Sequence, residues 1–198
     1  MHRRAGAPAA TLVCGVLVGV LSGMSNTVPP AGWVYHTPWS ATAQYAAGLA
    51  NSLVMWFWVP FAIGRRGPAS RAGASALGAL FMAVAFVTHE VHGWLVGHTS
   101  TGAAPAPPMA AVVLWTTLGI AMAGGVVAGL GGFLSRTRPM VALVLVLAVI
   151  AELERRNIDS WRNGIGAAEN ATFVLLAGAV ITALAVRAAR SRPVTASS

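Results

Sequence analysis

The sequence predicts an all-α protein, a polytopic membrane helix bundle of about six transmembrane helices with both termini cytoplasmic. Three observations carry that prediction. The 198 residues are 56% hydrophobic and only 9% charged, with a mean hydropathy of +0.69. The apolar residues fall into six runs, several of them near the roughly 20 residues that a bilayer core demands. The basic residues sit in small clusters between those runs rather than along one face.

Composition first excludes a soluble enzyme. Soluble domains carry about 25% charged residues, and a chain this apolar could not cover its surface. All thirteen basic residues are arginine, and the formal net charge is +8. That charge alone would suit nucleic acid. The arginines form neither an arm nor a stripe, so the partner they imply is the bilayer and not a nucleic acid. Cys14 is the only cysteine, which rules out an internal disulfide. "MHRR" before an apolar run is like a signal peptide, but no small-x-small cleavage site follows. The start is therefore read as an uncleaved first span.

The chain reads as one membrane domain. Its six spans are approximately 9–25, 43–64, 73–96, 109–134, 140–153 and 167–187, with a short polar tail over 188–198. The fifth is the shortest, and it crosses only if Glu152 lies near a membrane surface or the bilayer thins there. Five spans with one re-entrant segment is the alternative. Arg3, Arg4, Arg65, Arg66, Arg71, Arg136, Arg138, Arg187, Arg190 and Arg192 then fall on one side, which the positive-inside rule makes cytoplasmic. Loops 26–42 and 97–108 hold no arginine and are placed outside. Loop 154–166 breaks the pattern with Arg155, Arg156 and Arg162, and its own acids offset them. The expected setting is a multi-pass protein of the plasma membrane.

This topology gathers the polar chemistry at one end. All five acids, Glu90, Glu152, Glu154, Asp159 and Glu169, converge on the outer half. His36, His89, His92 and His98 join them.

Gly15, Gly19 and Gly23 in span one recur every fourth residue. Gly125 and Gly129 in span four do the same. Such stripes let helices approach closely where lipid gives no hydrophobic push. In span two, "LANSLVMWFWVPFAIGRR" puts Asn51 and Ser52 in the outer half and Trp56, Phe57 and Trp58 near the middle. Pro60 lacks an N–H and should loosen that helix. The plain reading is a kinked span with packed tryptophans. The functional reading is an aromatic wall.

In "FVTHEVHGW", Glu90 is the acid deepest in a long apolar run. A carboxylate there costs roughly 2.5–3.5 kcal/mol on insertion scales, so it must face the bundle, pair or stay protonated. Its structural alternative is a pair with Arg155 or Arg156. His89 and His92 are three apart, not the four of a zinc-binding H-E-x-x-H helix. No metal site and no cofactor are expected. Glu152 with Arg155 and Arg156 fits i,i+3 and i,i+4 pairing. The competing reading turns Glu152 inward beside Glu90, leaving Glu154 and Asp159 to balance arginines at the surface. Asn170 heads a glycosylation sequon, discounted in a bacterial-looking chain. Phosphate-binding glycine loops, magnesium-binding aspartate clusters and nucleophile elbows are missing.

Four stretches, "CGVLVGVLSG", "LANSLVMWFWVPFAIGRR", "LWTTLGIAMAGGVVAGLGG" and "AVIAELE", follow in that order. Together they resemble a group of small actinobacterial integral-membrane proteins catalogued as a domain of unknown function. The resemblance covers about residues 10 to 155. In size and span number the chain is also similar to small membrane-bound terpene cyclases of actinobacterial pathways, such as those acting on farnesylated indole diketopiperazines. That likeness carries over no site residue.

The leading functional expectation is a metal-independent, protonation-initiated terpene cyclase in natural-product biosynthesis. It would act on a lipophilic small molecule, a prenylated substrate such as a farnesylated indole or other aromatic. Burial keeps a carboxyl protonated and able to donate, so Glu90 or Glu152 would be the acid. Aromatic faces stabilise carbocations by about 0.5–2 kcal/mol each, so Trp56, Phe57, Trp58, Trp94 and Trp115 would form the wall. Asn51 would help bind substrate, and His89, His92 or the second glutamate would take the final proton. The second expectation is a non-enzymatic membrane protein: a transporter, a lipid-binding protein or an assembly partner. A membrane metalloenzyme, the third, would need at least three convergent ligands.

Overall fold

A computed structural model describes residues 6–26, 38–100 and 111–190. They form seven α-helices and no strand: α1 (Gly6–Asn26), α2 (Pro38–Ala50), α3 (Leu53–Arg66), α4 (Arg71–Ser100), α5 (Ala111–Leu134), α6 (Leu143–Arg156) and α7 (Gly164–Arg190). Short 3-10 turns at Pro139–Ala142 and Ile158–Arg162 flank α6.

Four of these helices, α1, α4, α5 and α7, are long and apolar enough to cross a membrane. The count becomes five if α2 and α3 together make one span. The expected span 43–64 is thus not one helix. It breaks at Asn51–Ser52, and its two halves meet at 66°. The expected span 140–153 also changes. Its helix has 14 residues and rises about 21 Å, short of the roughly 30 Å hydrocarbon core. Asn157, the one described non-glycine residue with positive φ (64°), turns the chain at its end. Helix α4 runs on to Ser100, into what the sequence suggested was loop. Trp33 and His36 lie outside the described residues.

Helix α4 is the hub and packs on α1, α3 and α5, while α6 and α7 cover α3 and α2. Glycine sets these contacts. A Cβ on Gly19 would stand 2.7 Å from Thr88 Cβ, and one on Gly23 would stand 2.8 Å from His92 Nδ1. A Cβ on Gly125 would strike the carbonyl of Gly78, and one on Gly132 that of Phe61. The expected stripes therefore face neighbouring helices. Apolar side chains fill the remaining space. Val18 packs with Phe81, Met82 and Ala85, Phe61 with Ala128, Ala142 and Leu145, and Val54 with Val149 and Phe173.

Most of the described arginines gather at one end of the bundle, while Arg155, Arg156 and Arg162 stay with the acids at the other. Ala7 lies against Gly67. Arg136, just past α5, donates to the carbonyls of Gly64 and Arg65 at the end of α3, at 2.8 Å each. Arg138, the last turn of α7 and the first residue of α4 belong to the same end. The break in α2–α3 lies toward the other end, level with the acids.

Candidate functional site

A helix broken inside a membrane exposes backbone groups that lipid cannot satisfy. Here each side of the break is met by named groups. Among the last carbonyls of α2, Leu49 accepts from Ser52 Oγ at 2.6 Å. Ala50 accepts from Trp56 Nε1 at 2.9 Å. Gly48 accepts from Arg156 Nη2 at 3.3 Å. Among the first amides of α3, Met55 donates to Ser52 Oγ at 3.2 Å, so Ser52 is the N-cap. Leu53 donates to Glu152 Oε2 at 3.0 Å.

Glu152 is fully buried, with 0% of its side chain exposed. Arg155 donates to both of its oxygens, at 3.1 and 2.8 Å. Arg156 Nε donates to Oε1 at 2.6 Å. With the Leu53 amide, four N–H groups meet two oxygens. A carboxylate offers about four lone-pair sites, so every acceptor position is filled and none is left for a proton. Arg156 reaches on to Glu169 of α7 and lies 5.0 Å over the ring of Phe173. Gly48 admits this arrangement, because a Cβ there would collide with the Glu169 carboxylate. Glu152, Arg156 and Glu169 thus join α6 and α7 to the broken helix.

Glu90 belongs to a different place. A cavity of about 640 Å³ lies between α3, α4 and α5. Trp56, Phe57, Met82 and Phe86 supply much of its apolar wall, and Asn51, His89 and Glu90 its polar end. Leu53, Ile120 and Val127 line it and are also exposed on the outer face of the bundle, so it opens sideways. Glu90 has no ion pair among the described residues. The alternative pair with Arg155 or Arg156 does not form, because both guanidiniums close on Glu152.

The polar end is ordered by hydrogen bonds. Ser22 of α1, 0% exposed, donates through Oγ to Asn51 Oδ1 at 2.8 Å and stands 2.9 Å from His89 Nδ1. Trp56 meets the His89 ring edge-on at 6.3 Å between centroids.

The expected site residues therefore separate. Asn51, Trp56, Phe57, His89 and Glu90 share the cavity. Glu152 faces the bundle but does not line the cavity and does not stand with Glu90. Trp58 turns to the opposite side of α3, where it donates to the carbonyl of Leu145 at 3.3 Å. Trp94 and Trp115 are 58% and 67% exposed on the outer face, where they add no wall. His92 packs against Gly23. Asp159 pairs with Arg162 at 3.1 Å on the surface, and Glu154 is exposed. Among the described residues no three His, Cys, Asp or Glu side chains converge as a metal ion would require. Ser22, Met82, Phe86 and the Arg156–Glu169 pair were not read from the sequence. The one signal for Ser22 is a hydroxyl beside Gly23 in a packing stripe.

No protein family, curated protein or solved structure matches the chain.

Proposed function

We propose that this membrane protein takes a lipophilic chain sideways from the bilayer into the α3–α4–α5 cavity, where Glu90 protonates it to start a metal-independent cyclisation. The observation that carries the reading is one carboxyl group, set beside Asn51 and His89, at the end of an aromatic-walled cavity that opens on the outer face of the bundle. A carboxylic acid gives its proton to an alkene carbon or an epoxide oxygen. The cation on the chain is then attacked by a second double bond, and a carbon–carbon bond closes the ring. Trp56, Phe57 and Phe86 face the charge. A neighbouring C–H gives up the final proton, either directly to the Glu90 carboxylate or to His89, from which it must return to Glu90 before the next turnover. The net reaction is an isomerisation. Ser22 and Asn51 hold the His89 ring at the polar end of the cavity.

Part of this reading is the setting: a plasma membrane with the arginine-rich end, and so both termini, in the cytoplasm. Cysteines at Ser100 and Ser198 in a Cys14→Ala background test it. An impermeant thiol reagent applied to intact cells should reach the first and not the second.

Membranes holding the protein should convert a farnesylated or geranylgeranylated aromatic, or its epoxide, to a cyclic isomer. Glu90→Gln should lose about 10²-fold or more of that activity, the usual worth of a positioned proton donor. Full activity in Glu90→Gln overturns the acid assignment. A second reading, lipophile binding without turnover, draws on the exclusion of Glu152, Trp94 and Trp115 from the cavity, which leaves a smaller catalytic apparatus than the sequence suggested. Saturable binding of the same compounds with no isomer formed would select it.

A further inference from the structure

A second cavity, of about 480 Å³, shares no lining residue with the first and runs between α1 and α3. The two helices are antiparallel there. Ala7 meets Gly67 at one end, and Cys14 and Met55 line the other. From Met55 to Arg66, α3 rises about 16 Å. Thr11 adds no free donor, because its hydroxyl is turned back to the Ala7 carbonyl at 2.8 Å. The one charged group on the lining is Arg66, exposed at the end of α3. Arg136 at the same end is committed to backbone carbonyls, whereas Arg66 has no hydrogen bond or ion pair among the described residues.

An apolar trough along a membrane helix that ends at one guanidinium has the polarity of a lipid with an anionic head. We infer that this groove holds one acyl chain of an anionic phospholipid, with the phosphate at Arg66. Arg65 and Arg71 lie near the same mouth and add to its positive potential. A zwitterionic lipid offers the same chain but no net charge, and gains less from that mouth. An apolar helix from a second copy would fill the trough but would bring no anion to Arg66.

Cys14 lines the groove and is the only thiol in the chain, so its alkylation reports occupancy. The protein in detergent is treated with N-ethylmaleimide and followed by intact mass, with phosphatidylglycerol or phosphatidylcholine added at equal mole fraction. Phosphatidylglycerol should slow alkylation about fivefold more than phosphatidylcholine, the worth of one arginine near an anionic surface. Arg66→Gln should abolish that difference at an unchanged unfolding temperature, and Arg190→Gln should keep it. Equal slowing by both lipids, no slowing by either, or a difference that survives Arg66→Gln overturns the inference. Slowing that grows with protein concentration in the absence of lipid also overturns it and assigns the groove to a second copy. Where the thiol reacts too slowly to time, native mass spectrometry decides. One phosphatidylglycerol should be retained, and it should be lost in Arg66→Gln and in Ala62→Trp, which fills the trough. Retention by either variant contradicts the site.

Discussion

The backbone N–H of Leu53 donates to Oε2 of Glu152 across 99 residues of sequence, at 3.0 Å. The side chain of the same Leu53 lines the cavity that holds Glu90. One residue therefore links the two polar systems of the bundle. On its backbone side an ion-pair network fixes where α3 begins. On its side-chain side lies the space in which α3 presents Trp56 and Phe57.

Gly48 should be intolerant of the smallest side chain. Gly48→Ala would push Glu169 off Arg156, so it should approach the roughly 3 kcal/mol cost of breaking a buried pair. Glu169→Gln should cost a similar amount. The double variant should cost less than the sum by about 1 kcal/mol or more, because both changes remove one interaction. Unfolding in detergent measures all three, and simple additivity would show that Gly48 acts elsewhere.

Gly124 and Gly125 are neighbours on α5 with opposite surroundings. A Cβ on Gly124 has Met82 Cε as its nearest neighbour, at 3.7 Å, and points into the cavity wall. A Cβ on Gly125 would strike the Gly78 carbonyl. Gly124→Leu should keep the unfolding temperature and lose binding or turnover of the prenylated compound, because it occupies the space. Gly125→Leu should lower stability by at least about 1–3 kcal/mol, the usual range for overpacking. Unimpaired binding in a folded Gly124→Leu protein would show that the ligand lies elsewhere.

Gly19 and Gly119 test the packing stripe. Gly19 faces the Ala85 carbonyl and Thr88 of α4, whereas nothing lies within 4 Å of a Cβ on Gly119. Gly19→Leu should reduce folded yield in detergent and Gly119→Leu should not. Equal yields would show that α1 does not need close approach to α4.

The membrane class and the arginine-rich end were legible because both follow from bulk polarity, which does not depend on which residues touch. The glycine stripes were legible for a related reason: a four-residue repeat is a property of one helix alone. The break in span two was not. Pro60 looked like the weak point, since it lacks a donor. It sits fully buried inside a continuous α3. A proline removes one hydrogen bond, whereas a break strands several groups on each side. The chain breaks only where partners are waiting, and those partners, Arg156 and Glu152, come from α6.

Glu152 was misjudged for the same reason. Its i,i+3 and i,i+4 arginines were visible in the sequence, and so was its inward face. Nothing local indicated that the Leu53 amide would take the remaining acceptor position. Trp94 and Trp115 were placed on the wall by depth alone. Depth along a helix says nothing about the direction in which a side chain points. Glu90 lines the cavity, and the sequence signal for an inward-facing acid was negative: an acid in a long apolar run with no basic residue one turn away.

The most direct test of the account compares Glu152→Gln with Glu90→Gln by thermal unfolding in the same detergent. Glu152 belongs to the frame, and the proposed chemistry belongs to Glu90. Glu152→Gln leaves Arg156, only 13% exposed, without one of its two carboxylates, and takes a charged acceptor from the α3 amide. It should unfold at a clearly lower temperature, at a cost near the roughly 3 kcal/mol of a broken buried pair. Glu90→Gln should unfold with the wild type. A Glu152→Gln protein as stable as wild type, with Glu90→Gln destabilised instead, would contradict the division of roles on which the account rests.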